Sequence, residues 1–255
     1  MDARTTEEVI ARLEGIIEDS LATGNRVGYF AALYNRVTRH IREGILNGLF
    51  DDGPRMEQLD VVFANRYLDA YDRYRAGEAP TAAWLAAFRA AEDESLSVLQ
   101  HLALAMNAHI DLDLGIAAAR VAPRSDYGGL QGDFDRINAV LASLVPLEES
   151  QTGSIAPVVG KLVKLASAAT KLAIDGGIAA ARAGAWHFGR ELSPLALDAQ
   201  VGLIARRDLE VSIAGEVLLE HQPVMLLLSI GECRDVRKNI ETLAAGDLAL
   251  PPIAS

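Results

Sequence analysis

One cysteine in 255 residues, Cys233, excludes an intramolecular disulfide and any cysteine-rich zinc site. Positive charge is short as well. Twenty-four Lys and Arg against 35 Asp and Glu leave a net charge of −11, with no basic cluster to offset it. Phosphate-backbone binding is therefore not expected, and no nucleic-acid partner is implied. No apolar run reaches about 18 residues without a charge or a glycine, so no membrane span is expected. The N-terminus, Met-Asp-Ala-Arg-Thr-Thr-Glu-Glu, lacks the basic and apolar regions of a signal peptide. The expectation is a soluble, cytoplasmic protein. No repeat of fixed period, low-complexity tract or composition break marks a second domain. Gly115 and Gly128-Gly129 lack the strand-turn-helix context of a phosphate loop.

What is present is helical spacing. Half of the residues are hydrophobic, ample for a core. Thr5-Thr-Glu-Glu8 fits a capping box, and Val9, Ile10, Leu13, Ile16 and Ile17 follow at helical intervals. A second helix is predicted over Val27 to Asn47 and a third over Glu57 to Tyr74, separated by the turn residues Asp51-Asp-Gly-Pro54. Thr81 is the expected N-cap of a long helix through Trp84, Phe88 and onward. Pro123 to Gly129 reads as a loop, with helical spacing resuming at Leu130, Phe134 and Ile137. Two helices are predicted within Val158 to Leu192, a hairpin over Pro194 to Leu219, and a last helix over Asp235 to Leu243. Pro223 to Ile230 reads equally as a short strand or a buried helix start. These signals predict an all-α fold: a single irregular multi-helix bundle of roughly eight to ten helices. Residues 1–122 carry the polar signature, and residues 123–255 supply the helices packed on it.

That signature lies in Val98-Leu-Gln-His101 through Asp113-Leu-Gly115, an apolar stretch with two of the five histidines. At about 100° per residue, His109 and Asp113 share one helical face, and Asn107 and Asp111 share a neighbouring stripe. His101 precedes His109 by two turns, rotated by about 80°. Burying these groups is costly unless they bind each other, water, a metal or a ligand. Imidazole and carboxylate at i,i+4 can chelate one ion. His101, His109 and Asp113 are the candidate ligands, with Asp60, an acid within the apolar Gln58-Leu-Asp60-Val-Val-Phe run, as the fourth. Glu232 is a weaker candidate. Zinc, manganese or iron would suit such a set. A metal-free reading makes His109 with Asp60 or Asp113 a general acid/base pair, with Asn107 orienting a substrate oxygen. A structural reading has the same residues hydrogen-bonding across a helix interface.

The remaining polar residues carry less. His40, among charges in Thr38-Arg-His40-Ile-Arg, is expected on a solvated face. Arg66 follows Asp60 by nearly two turns and by default snorkels to solvent. Arg182 and Trp186 are i,i+4 and suited to stacking. His187, His221 and Cys233 show no base or ligand nearby in the pattern.

The run Asn47-Gly-Leu-Phe-Asp-Asp-Gly-Pro-Arg-Met-Glu-Gln-Leu-Asp60-Val-Val-Phe-Ala-Asn-Arg-Tyr67, with Trp84-Leu-Ala-Ala-Phe88, Val98-Leu-Gln-His101 and Met106-Asn-Ala-His109-Ile-Asp-Leu-Asp113, resembles a bacterial domain-of-unknown-function family, family 5995. Fainter likeness continues through Asp133 to Asn138 and Ala181 to Trp186. The family pattern usually has Asn where Asp111 stands, which sets Asp111 apart from the other site residues. The resemblance implies no activity; it groups the Asp60 and His101–Asp113 stretches in one signature. The spacing of His101, His109 and Asp113 is also distantly similar to all-α zinc phospholipase C and nuclease proteins, whose further histidines and N-terminal tryptophan ligand have no counterpart here.

Two function classes follow. One is an enzyme with a buried His/Asp site between two helices, acting by metal-assisted hydrolysis or as a metal-free lyase or cyclase. Its substrate would be a small, largely apolar molecule contacted by Phe63, Tyr67 and Met106. The other is a non-catalytic helical binding or scaffold protein.

Overall fold

The computed structural model describes residues 2–122, 124–137, 177–220 and 232–245. The fold is an all-α multi-helix bundle, and no strand occurs among the described residues. Helix α1 spans Thr6–Thr23, α2 Val27–Leu46, α3 Gly53–Arg75, α4 Ala82–Ala90 and α5 Val98–Met106. A π-helical segment, Asn107–Leu114, continues directly into α6, Gly115–Val121. A 3₁₀ turn at Arg124–Leu130 leads to α7 (131–137). The later helices are α8 (177–192), α9 (Leu197–Glu220) and α10 (Val236–Ala244).

Local chemistry sets most of the boundaries. Thr5 caps α1 by accepting from the Glu8 amide at 3.2 Å, while Glu8 reaches back to the Arg4 amide, one residue beyond the expected box. Gly24, at φ 71°, closes the helix through its N–H to the Ser20 carbonyl. Helix α3 begins at Gly53 rather than Glu57. Asp52 accepts from the Arg55 amide, and Pro54 fills a first-turn position whose missing N–H costs nothing. The expected long helix after Thr81 is two helices. Thr81 makes no cap bond; Asp208 of α9 accepts instead from the Ala82 and Ala83 amides at 2.7 and 2.9 Å. The chain turns at Ala91–Leu96, and Ser97 with Gln100 forms a capping box that starts α5. The expected hairpin over Pro194 to Leu219 is a single 24-residue helix, α9. Its outer face leaves Leu197, Val201, Leu209, Ile213 and Val217 exposed. The part of the Val158 to Leu192 reading before residue 177, and the readings of His221 and of Pro223 to Ile230, lie outside the described residues.

Helix α2 is the central element, packed by α1, α3, α5 and α10. Its first turn is tightly enclosed. A Cβ at Gly28 would come within 2.6 Å of Ile240 and of Ser20. His40 faces inward with no exposed surface, contrary to the solvated face expected of it; Arg39 and Arg42 take the outward positions, pairing with Glu14 and Glu7. Burial, with Arg36 nearby, pushes the His40 imidazole down to about 4. The continuous helix Val98–Val121, 24 residues, is long and apolar enough to cross a membrane, and 67% of its most apolar window is buried inside the fold. Helix α6 crosses α8 at glycines. A Cβ at Gly115 would meet the Ala185 carbonyl at 2.6 Å, and one at Gly189 would meet the Gly115 carbonyl at 2.7 Å.

Candidate functional site

Helices α2, α3, α7 and α8 and the π-helical segment line a partly open apolar cavity of about 110 Å³. Leu33, Val37, Met56, Leu59, Phe63 and Met106 supply much of its wall. Four polar side chains also line it: Tyr34, Asp60, His109 and Arg182. Asp60 is buried, with one carboxylate oxygen that has no hydrogen-bond partner among the described residues. Burial drives its carboxyl up to about 7, against a weaker opposing pull from the Thr6 hydroxyl. The Tyr34 hydroxyl is likewise unpartnered, and burial raises it well above its ordinary range, with Asp60 and Asp113 adding to the shift.

His109 sits in an aromatic box. Phe63 stacks flat on its ring with centroids 3.6 Å apart, and Tyr34 and Phe30 meet it edge-on at 4.4 and 5.4 Å. Neither of its nitrogens has a hydrogen-bond partner among the described residues. Burial lowers its pKa, and Asp113 only partly offsets that, so the ring is neutral near pH 7.

Asp113 is fully buried and its carboxylate is already satisfied. Arg66 Nε donates to Oδ1 at 3.0 Å, and Trp84 Nε1 donates to Oδ2 at 2.7 Å. His109 Nδ1 remains 3.9 Å from Oδ2, beyond hydrogen-bond reach. Arg66, expected to reach solvent, is instead the ion-pair partner of this buried carboxylate.

The π-helical segment redistributes the other predicted residues. Its i→i+5 pattern turns less per residue than an α-helix, so the 80° relation between His101 and His109 does not carry across it. His101 lines a separate, smaller cavity with Tyr67, and burial pushes its imidazole down to about 4. Asn107 does not line the large cavity; its amide donates to the Val211 carbonyl of α9 at 2.9 Å. Asp111 faces α9 as well, where Arg207 Nε donates to its backbone carbonyl at 2.9 Å. Glu232 Oε1 accepts from the Val98 amide at 2.8 Å, capping α5 from a distance.

Of the four candidate metal ligands, Asp60 and His109 line one cavity, while His101 and Asp113 lie elsewhere. Among the described residues no group of three or more His, Cys, Asp or Glu side chains is placed to hold a metal ion. Phe63 and Met106 line the large cavity; Tyr67 lines the small one. Tyr34 and Arg182 are cavity residues that the sequence reading missed. Tyr34 follows Phe30 by one turn at the end of the apolar first half of α2, where patterning treats an aromatic ring as core. Arg182 interrupts an alanine-rich stretch and stacks on Phe134, not on Trp186, with its guanidinium carbon 4.4 Å from the ring centre.

Comparison with curated proteins and with solved structures finds no match. Residues 6–221, most of the chain, match the family of unknown function DUF5995, and the Asp60, His109 and Asp113 stretches all lie within that span. The chain therefore belongs to the DUF5995 family.

Proposed function

We propose that the chain binds a small, largely apolar molecule in the α2–α3 cavity, and that Asp60 exchanges a proton with it in a metal-free, lyase- or cyclase-type reaction. The observation that carries this reading is one carboxyl group. Asp60 lines an apolar cavity, has an unpartnered oxygen, and titrates near 7. A general acid/base works best when its pKa lies near the working pH. Tyr34 and His109 supply a hydroxyl and a neutral imidazole for a ligand oxygen. The apolar wall supplies binding energy of about 25 cal/mol per Å² of ligand surface removed from water.

Metal-assisted hydrolysis fits the donor set less well. Asp60 and His109 are two protein ligands, short of the three that catalytic zinc sites use. The scaffold reading accounts for Asp113, whose bonds to Arg66 and Trp84 tie α3 and α4 to the Val98–Val121 helix, but it leaves the unpaired groups around the cavity without a role.

The test uses an apolar ketone, β-ionone, in deuterated buffer, with α-proton exchange followed by NMR. The wild-type protein is expected to accelerate exchange with a midpoint near pH 7. Asp60→Asn is expected to retain β-ionone binding and lose at least tenfold in exchange. Equal exchange by both proteins would remove Asp60 from the chemistry.

A further inference from the structure

Phe30 has a position that the large cavity alone does not explain. It also lines the second cavity, of about 20 Å³, and is the one described residue common to the walls of both. Its ring meets His109 of the large cavity edge-on at 5.4 Å. It meets Tyr67 and Trp84 of the small one at 5.1 and 5.6 Å. Phe30 thus stands between the two spaces, beside the direct ring contacts of His109 with Tyr67 and Trp84 at 6.4 and 6.0 Å.

The small cavity is not simply a packing defect. It has room for about one water molecule, and such a water needs polar partners. Two are at hand in its wall. The Tyr67 hydroxyl and both nitrogens of His101 are buried without hydrogen-bond partners among the described residues. An unmade hydrogen bond at such a group costs more than a made one gains, so these atoms favour any polar group that can reach them. Arg26, paired with Glu94, also lines it, and Val27, Trp84, Ala87 and Phe88 supply apolar wall against which a carbon chain packs well.

We infer that Phe30 sets the length limit of the ligand, and that the Tyr67–His101 pocket receives the terminal hydroxyl of a longer, ω-hydroxylated apolar ligand when Phe30 yields. This rests on the apolar-ligand reading above and extends it. Ligands confined to the large cavity need no such displacement, so Phe30 is a specificity-determining residue. A longer ligand replaces the water that the small cavity can hold and satisfies Tyr67 and His101 in its stead.

The experiment is displacement of the neutral fluorophore N-phenyl-1-naphthylamine by n-alkanols from hexan-1-ol to tetradecan-1-ol, and by the matching α,ω-diols. For the wild type, affinity is expected to rise about fourfold per methylene and then stop rising. In Phe30→Leu the plateau is expected to move to a longer alcohol. Beyond the wild-type limit, diols should bind that variant at least fivefold more tightly than alcohols of equal length. Adding Tyr67→Phe to Phe30→Leu should reduce that advantage. Phe30→Met replaces the leucine variant if the latter loses cooperative unfolding. An unchanged plateau, or no diol advantage in a folded Phe30 variant, overturns the inference while leaving the large-cavity reading intact. Failure of every alcohol to displace the probe from the wild type overturns both.

Discussion

The phenyl ring of Phe63 lies on the imidazole of His109, with ring centres 3.6 Å and planes 10° apart. The contact holds a neutral histidine against the cavity wall without a hydrogen bond to either nitrogen. Phe63→Leu removes the ring current above the imidazole. The His109 ring protons are therefore expected to move downfield by NMR while unfolding stays cooperative; unmoved signals would contradict the stack.

Asp113 is the structural anchor of the site. Asp113→Asn leaves Arg66 beside a neutral amide in a buried setting, and loss of one member of a buried pair costs about 3–5 kcal/mol. Trp84→Phe removes one donor and leaves part of the buried indole's space unfilled, at a cost of about 2–3 kcal/mol. Urea unfolding of both variants gives the order: the asparagine variant should be the less stable.

Two kinds of buried titrating group give stability opposite pH slopes. Asp60 has a folded pKa near 7 against an ordinary 3.8, so the folded chain holds the proton more tightly. Its contribution is complete below about pH 4 and is lost as pH rises through 7, by up to ~4 kcal/mol. His40 and His101 have folded values near 4 against 6.5; their contribution is complete above 6.5 and is lost as pH falls toward 4. Relative to the wild type, Asp60→Asn should therefore gain stability steadily from pH 4 to 7 and level off above. A difference independent of pH, measured by urea unfolding across that range, would contradict the burial of an unpaired Asp60 carboxyl.

The α6–α8 crossing depends on two glycines. Gly189→Ala would place a methyl 2.2 Å from the Tyr127 hydroxyl and 2.7 Å from the Gly115 carbonyl. A loss of about 1–3 kcal/mol is expected, as for other overpacked cores. Tyr127→Phe in the same chain should recover part of it, because the hydroxyl is the nearer obstacle; the carbonyl remains. Thermal unfolding of the single and double variants measures the recovery.

Helix identity was legible wherever apolar spacing and local caps agreed. Thr5 with Gly24, Asp52 with Pro54, and the Asp235 cap all act within a few residues, and each marks a helix end in the structure. The misplaced boundaries have two kinds of cause. The Asp52 cap of α3 and the Ser97–Gln100 box of α5 are local signals that apolar spacing overrode, whereas Asp208 caps α4 across 126 residues, a partner that no local pattern reports. The site was legible in its parts but not in its grouping. Apolar context picked out Asp60, His109 and Asp113 as buried acids and imidazole, and all three are buried. Spacing at 100° per residue then put His101 with them, and the π-helical turn between the two histidines broke that count. Trp84 and Arg66 claim Asp113 from other helices, so its i,i+4 relation to His109 decided little.

Binding of a small apolar molecule in the α2–α3 cavity is read by titration with N-phenyl-1-naphthylamine. Wild-type protein is compared with Val37→Phe, which fills the cavity from its α2 wall. Saturable one-to-one binding by the wild type, weakened at least tenfold in a cooperatively folding Val37→Phe, is the predicted result. Equal affinity in both, or no saturable binding by the wild type, would contradict it.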